Sequence, residues 1–279
     1  MITSFQNERV KRVSRLRKGR YRRKSGLFVI DGARELSRAV SAGVEITELF
    51  HTAAKTNATD VEQEVLSAAS VAAEVVEVTP AIMRKLCFGD RDEGFVAVAR
   101  MPQRRLSELQ LPDNPLLSII EGIEKPGNLG AILRTADGAG FHGVIVIDGG
   151  TDLYNPNLIR ASLGTVFSLQ VCKADREELH SWLSERQFQI VTTIVETRQA
   201  YTEVDYRQST AVVLGSEHAG LSDAWRDPSD AKGKSGQVWP VRIPMLGVAD
   251  SLNVSAAAAV LFYEARRQRD FAQQQNTAE

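Results

Sequence analysis

From residue 26 the chain alternates short apolar runs with segments whose apolar residues recur at helical spacing. GLFVID (26–31) predicts a strand, and GARELSRAVSAG (32–43) predicts a helix, because Ala33, Leu36, Ala39 and Val40 share one face and Gly43 supplies a stop. ITELFHT is expected as a strand, DVEQEVLSAAS as a helix and AEVVEVT as a strand. PAIMRKLCF reads as a helix with Pro80 near its first turn, and GFVAVAR closes the set as a strand. MPQRRLSELQLPDNP (101–115), with three prolines and mixed charge, reads as a linker. The alternation then restarts: strand 116–120, helix 128–139, strand 143–148, helix 156–164, strand 167–172, helix 175–186, strand 188–194 and strand 210–215. VRIPMLGVADSLNVS carries a last short strand and opens a long C-terminal helix. Such alternation implies an α/β fold with a mainly parallel sheet covered by helices. The expected division is a small α/β domain over 1–100, a linker over 101–114, a second domain over 115–270 and a frayed tail over 271–279.

Composition narrows this picture little. A chain of 279 residues, 43% hydrophobic and 25% charged, has room for two domains and an ample core. No uncharged apolar run reaches the roughly 18 residues of a membrane span. No apolar stretch of the signal-peptide kind follows the basic start. Cys87 and Cys172 stand alone, and with four scattered histidines they offer no metal-ligand spacing. A reducing cytoplasm, no metal and no membrane are the expectations.

Charge changes more. The net charge is −1, yet residues 1–24 hold ten basic side chains (Arg9, Lys11, Arg12, Arg15, Arg17, Lys18, Arg20, Arg22, Arg23, Lys24) against one acid, Glu8, a local charge near +9. That concentration suits a phosphate backbone, which gives affinity without sequence choice and steep weakening in high salt. A disordered basic tail or an organelle transit peptide is the bland alternative. Val10, Val13 and Leu16 recur at three-residue spacing, which fits a short helix with a basic face.

Three turns carry the candidate chemistry. The first is EKPGNLGAILRTADGAG (124–140), between the strands at 116–120 and 143–148. With Asn128 as cap, Leu129, Ile132, Leu133 and Ala136 would face the sheet, and Gly130, Arg134 and Asp137 the other side. Gly130 would leave a gap for a ligand beneath Arg134, whose planar cation suits a phosphate or a developing oxyanion. A surface arginine paired with Asp137 beside a packing glycine explains the same residues. The second turn is LGSEHAGLS (214–222), where Gly215 and Gly220 flank Glu217. Ligands bind beyond the carboxyl ends of parallel strands, although a helix-start acid accounts for Glu217 equally. The third is IPMLGVADSLNVSAAAAV (243–260), with Asp250 or Ser251 as the expected helix cap. Capping alone does not explain Ser251, Asn253 and Ser255 together.

At these turns the sequence closely resembles the SpoU/TrmH family of RNA ribose 2′-O-methyltransferases, within the SPOUT superfamily. Motif one, N-x-G-x-x-x-R, stands as Asn128, Gly130 and Arg134; motif two as Gly215, Glu217 and Gly220; motif three as Ile243, Pro244, Ser251, Leu252, Asn253 and Ser255. The resemblance covers about 114–267, with His218 a departure where many relatives have glycine. The basic N-terminal region is more loosely similar to the L30e-like substrate-binding domain of many members. The resemblance implies a deep trefoil knot, rare among folds, and S-adenosylmethionine held bent in the knotted loops. It places Leu214, Gly215, Ile243, Met245 and Leu252 at the cofactor, and it implies a homodimer with the site at or near the interface.

It also implies roles. Arginine is a poor base, so Arg134 is expected to hold a substrate phosphate and stabilise the incipient alkoxide, with the proton passing to that phosphate or to water. Asn128 is expected to orient ribose or loop, Glu217 to fix motif two, and Ser251 and Asn253 to serve the methyl-transfer centre. The expected substrate is structured RNA, 23S ribosomal RNA ahead of transfer RNA. Alternatives are a non-catalytic RNA-binding protein on the same scaffold, a base methyltransferase, and a nicotinamide-dependent oxidoreductase suggested by Gly127, Gly130 and Asp148. The last leaves the second and third turns unexplained.

Overall fold

The computed structural model describes residues 1–52, 63, 67, 74–88, 94–216, 219–226 and 237–276. The helix expected at DVEQEVLSAAS lies outside the described residues apart from two positions. The chain forms two compact units, one of Met1–Gln103 with Asp152–Ser168, the other of Arg104–Thr151 with Leu169–Glu279. Asp152–Ser168 fall, in sequence, inside the span expected for the second domain and pack with the first unit instead.

In the first unit, strands β1 (Leu27–Asp31), β2 (Ile46–His51), β3 (Glu74–Glu77) and β4 (Phe95–Arg100) form a sheet in the order β1-β4-β2-β3. β4 is antiparallel to both neighbours, and β2 and β3 run parallel. Alternate residues divide between two covered faces. Val29 joins a core with Val10, Val13, Leu16, Ile82 and Leu86, supplied by the helices Glu8–Arg15 and Pro80–Leu86. Phe28, its neighbour, lies against the rings of Tyr154 and Phe167, with centroids 4.7 and 5.8 Å away. The three-residue apolar spacing at the N-terminus therefore belongs to a packed helix, with Asn7 capping it by accepting from the Arg9 amide.

In the second unit six strands run parallel: β5 (Leu116–Glu121), β6 (Gly143–Ile147), β7 (Val171–Lys173), β8 (Gln189–Thr193), β9 (Thr210–Leu214) and β10 (Val238–Val241), in the order β10-β8-β9-β5-β6-β7. β5 and β9 are buried along their whole length, as strands covered on both faces must be. Leu117 and Ile119 face a core that includes Leu179 and Leu183 of the helix Arg176–Glu185. The helix Pro126–Gly138 packs against the C-terminal helix Val254–Asn276.

Three sequence expectations are corrected here. The strand expected at 167–172 is only Val171–Lys173, because Thr165–Ser168 form a helical turn. The last strand, Val238–Val241, lies mostly before VRIP and ends on its first residue; it contains Pro240, tolerated because β10 is an edge strand. The helix of the first turn begins at Pro126, so Asn128 lies inside it and is not its cap. Among the described residues no helix is long and apolar enough to cross a membrane.

Candidate functional site

The second turn leaves β9 at Leu214 and folds back on itself. Ser216 and Gly220 exchange backbone hydrogen bonds of 3.0 and 3.1 Å, and the Ser216 hydroxyl accepts from the Ala219 amide. A Cβ on Gly215 would lie 2.4 Å from the Gly220 carbonyl carbon and 2.6 Å from the Leu221 nitrogen. Only glycine permits this closure. Gly220 takes φ +65°, the left-handed region in which glycine meets no penalty.

The third turn runs over 242–253, exposed except for half-buried Ile243 and Met245, and ends at Asn253, whose carboxamide oxygen accepts from the Ser255 amide and hydroxyl at 3.0 and 2.6 Å. Asn253 caps the C-terminal helix, which corrects the expectation that Asp250 or Ser251 does so. A structural duty thus occupies one side of the Asn253 carboxamide.

These two turns enclose one cavity of about 490 Å³ at the carboxyl ends of β8, β9 and β10. All five residues expected at a cofactor (Leu214, Gly215, Ile243, Met245 and Leu252) line it, and so do Ser251 and Asn253. Among the further lining side chains that sequence reading missed are Glu196, Leu221 and Arg242. Apolar Leu214, Leu221 and Leu252 offer a surface for a flat ring, Glu196 and Asp250 favour positive charge, and Arg242 favours a carboxylate. S-adenosylmethionine carries an adenine ring, a sulfonium and an amino-acid end, so the lining chemistry fits it.

The first turn is not part of that lining. Arg134 is exposed and Asn128 half-buried, on a helix whose Leu129, Ile132, Leu133 and Ala136 are buried as expected. Gly130 is buried as well. The open gap expected beneath Arg134 is therefore absent; the C-terminal helix packs against this helix, and further along it the Tyr263 hydroxyl stands 3.1 Å from where a Gly138 Cβ would be. Glu217, with His218, lies outside the described residues.

Behind the second turn stands a network that sequence reading also missed. Glu121, at the end of β5 and 5% exposed, accepts from the amide and the hydroxyl of Ser222, each at 2.8 Å. Arg176 pairs with Glu121 at 2.6 Å and also reaches Asp148 and the Ser222 hydroxyl. An acid ending the otherwise apolar run LLSIIE was the available signal. Nearby His180 stacks on Trp225 with centroids 4.3 Å apart; burial holds it below its ordinary histidine value, and Arg176 adds to the effect.

The basic N-terminal residues form two helices, Glu8–Arg15 and Gly19–Ser25, and not a disordered tail. Their side chains divide. Arg22 is 2% exposed and donates to Asp152 and to the carbonyls of Leu16 and Arg17. It is a buried structural cation, which corrects its place among RNA contacts. Arg9 pairs with Glu74, Arg12 with Glu48 and Lys11 with Glu8, while Arg17 donates to the carbonyls of Lys85 and Cys87. Arg15, Lys18, Arg20, Arg23 and Lys24 are exposed and form no ion pair with a described acid.

A parallel sheet whose strand-end turns close on a cleft of this size and chemistry defines an α/β protein built to bind a nucleotide-like cofactor. Comparison with known proteins narrows the class. Residues 115–263 match the SpoU rRNA methylase family, and residues 7–97 match the MRM3-like substrate-binding domain. The chain is 32% identical over 257 residues to a 23S rRNA (uridine(2479)-2′-O)-methyltransferase of Streptomyces viridochromogenes, covering 89% of this chain and 85% of the relative. A crystal structure of an RNA 2′-O ribose methyltransferase superposes with a TM-score of 0.79 at 41% identity, over 96% of this chain and 98% of its own. The SpoU methyltransferase AviRb of Streptomyces viridochromogenes, in complex with AdoMet, gives 0.82 at 30% identity, over 95% and 98%. The chain belongs to the SpoU rRNA methylase family. Its class of activity is RNA 2′-O-methylation with S-adenosylmethionine as cofactor.

Proposed function

We propose that the protein methylates a ribose 2′-hydroxyl of 23S ribosomal RNA. The observation that carries this is the convergence of motifs two and three on a single cavity whose lining suits S-adenosylmethionine. The cofactor, when bound, supplies an electrophilic methyl group. Leu214, Gly215, Ile243, Met245 and Leu252 would hold it, and Ser251 and Asn253, on the same wall, would serve the transfer centre. Arg134 would hold a substrate phosphate and stabilise the oxygen as its proton leaves to that phosphate or to water. Asn128 orients the ribose or the loop, and Glu217 fixes motif two. The 23S assignment rests on what the Streptomyces relative is named for. The exposed Arg15, Lys18, Arg20, Arg23 and Lys24, which form no ion pair with a described acid, suit a phosphate backbone.

The working unit in this reading is a cytoplasmic homodimer whose third turn completes a trefoil knot. A second copy is favoured because Asn128 and Arg134 stand outside the cavity lining of one copy.

The test is methylation of purified 23S rRNA and of transfer RNA with labelled cofactor, followed by digestion to nucleosides. One 2′-O-methylated nucleoside from 23S rRNA is expected. A base-methylated product, or label in transfer RNA alone, would overturn the proposal.

A further inference from the structure

The second turn is held at both ends by consecutive residues of one strand. Its near arm is Leu214, paired with Ile120 of β5. Its far arm is Ser222, whose two polar groups are both taken by Glu121, the next residue of β5. Between these anchors, Gly215, Gly220 and Leu221 form a wall of the cavity. Gly122 follows, and a Cβ there would come within 3.5 Å of the Ser216 side chain, so the strand end also backs the start of the turn.

Glu121 is a buried carboxylate, which is costly to keep charged unless paired and hydrogen-bonded. Arg176 supplies the counter-charge and touches the Ser222 hydroxyl too. Three elements therefore meet on one serine. Neither Glu121 nor Ser222 is among the cavity-lining residues, so Glu121 acts on a bound molecule indirectly, by holding Ser222 next to the lining residue Leu221.

We propose that Glu121 is the positioning residue for the cofactor, clamping Ser222 so that the Gly220–Leu221 wall is set before binding. This rests on the reading that the cavity holds S-adenosylmethionine. A loop already ordered spends no binding energy on being ordered. Glu121→Gln keeps the shape but leaves one accepting oxygen for two donors, and turns an amide NH₂ toward a serine donor or the Arg176 guanidinium.

The test is calorimetric titration of full-length wild type, Glu121→Gln, Ser222→Ala and the double variant with S-adenosylhomocysteine, alongside steady-state methylation of RNA. Glu121→Gln is expected to raise Kd and the cofactor KM by about tenfold or more, with kcat at saturating cofactor within about threefold of wild type. Ser222→Ala should raise Kd by about threefold or more, and adding it to Glu121→Gln should change little further, because the two share one contact. A Glu121→Gln protein that melts like wild type and binds with wild-type Kd overturns the assignment. So does a loss of kcat with unchanged KM. If Glu121→Gln does not fold, wild-type affinity in Ser222→Ala overturns it instead. If wild type itself fails to bind, the cofactor reading falls, and the role of Glu121 with it.

Discussion

Arg134 stands in solvent on a helix whose other face is buried, and it forms no ion pair with a described acid. Stability gives it little purpose; a phosphate and a developing negative oxygen give it one. Arg134→Ala should lower kcat on the order of 10²-fold or more while S-adenosylhomocysteine binds as before in calorimetry. Arg134→Lys should recover only part of that loss, because the charge returns without the fork; full activity would exclude bidentate clamping. His142 makes a different case. Its Nδ1 accepts from the Leu116 amide at 2.9 Å, and burial, reinforced by Arg269, holds its pKa below the ordinary 6.5. The neutral ring is the one the folded state favours, so its contribution is full above 6.5 and is lost as pH falls through the lowered folded value. Melting temperatures across that interval should fall less steeply in His142→Gln, whose carbonyl can accept the same bond without titrating. At this scale sequence is least informative: Arg20, Arg22 and Arg23 look alike in a row, yet Arg22 alone is buried, because its acceptor Asp152 lies 130 residues away.

Elements were more legible than residues. The 2.0 and 3.6 periodicities located most of the described strands and the longer helices, because each buries one face against a neighbour, but not the short helices Gly19–Ser25, Thr165–Ser168 and Asp223–Arg226. Where periodicity failed, a local or distant contact intervened. The 167–172 strand lost its start to a helical turn, and the strand before the third turn was hidden by Pro240, which an edge position tolerates. Gly130 looked open from its place in the helical pattern, yet it is buried in the folded unit, where its helix packs against one that begins at Val254. The cavity wall was legible through the family motif, whose glycines answer a local need, the folding of the turn from Leu214 to Ser222 onto itself. Its anchor at Glu121 was not, since the partner Ser222 lies 101 residues on. Gly215→Ala tests the wall directly. The added carbon would meet backbone atoms at 2.4 to 2.6 Å, which cannot rotate away, so the turn must shift. Cofactor affinity measured by calorimetry should drop at least about tenfold, roughly 1.4 kcal/mol. Helical content in circular dichroism should stay unchanged, because the sheet beneath is untouched.

At the scale of the whole molecule the open question is how the first turn meets the other two. Methyl transfer requires the oxygen, the methyl carbon and the sulfur nearly in line, so the role proposed for Arg134 requires it to reach the cavity. In one copy the lining is drawn from the ends of β8, β9 and β10 and from the third turn, without the helix Pro126–Gly138. A two-fold dimer supplies each missing group twice, each copy giving to its partner what it receives. Arg134→Ala and Gly215→Ala, each strongly impaired alone when assayed at cofactor well below the Kd of Gly215→Ala, provide the decisive mixture. If each site takes its cofactor wall from one copy and its arginine from the other, a mixed dimer contains one fully intact site. Random exchange makes half the dimers mixed, so activity should recover to about a quarter of wild type. If each copy builds its own site, every site in the mixture retains a lesion and no recovery occurs. Methyl incorporation after subunit exchange, with each variant alone as control, separates the two arrangements, because only a site shared between copies can be repaired by mixing.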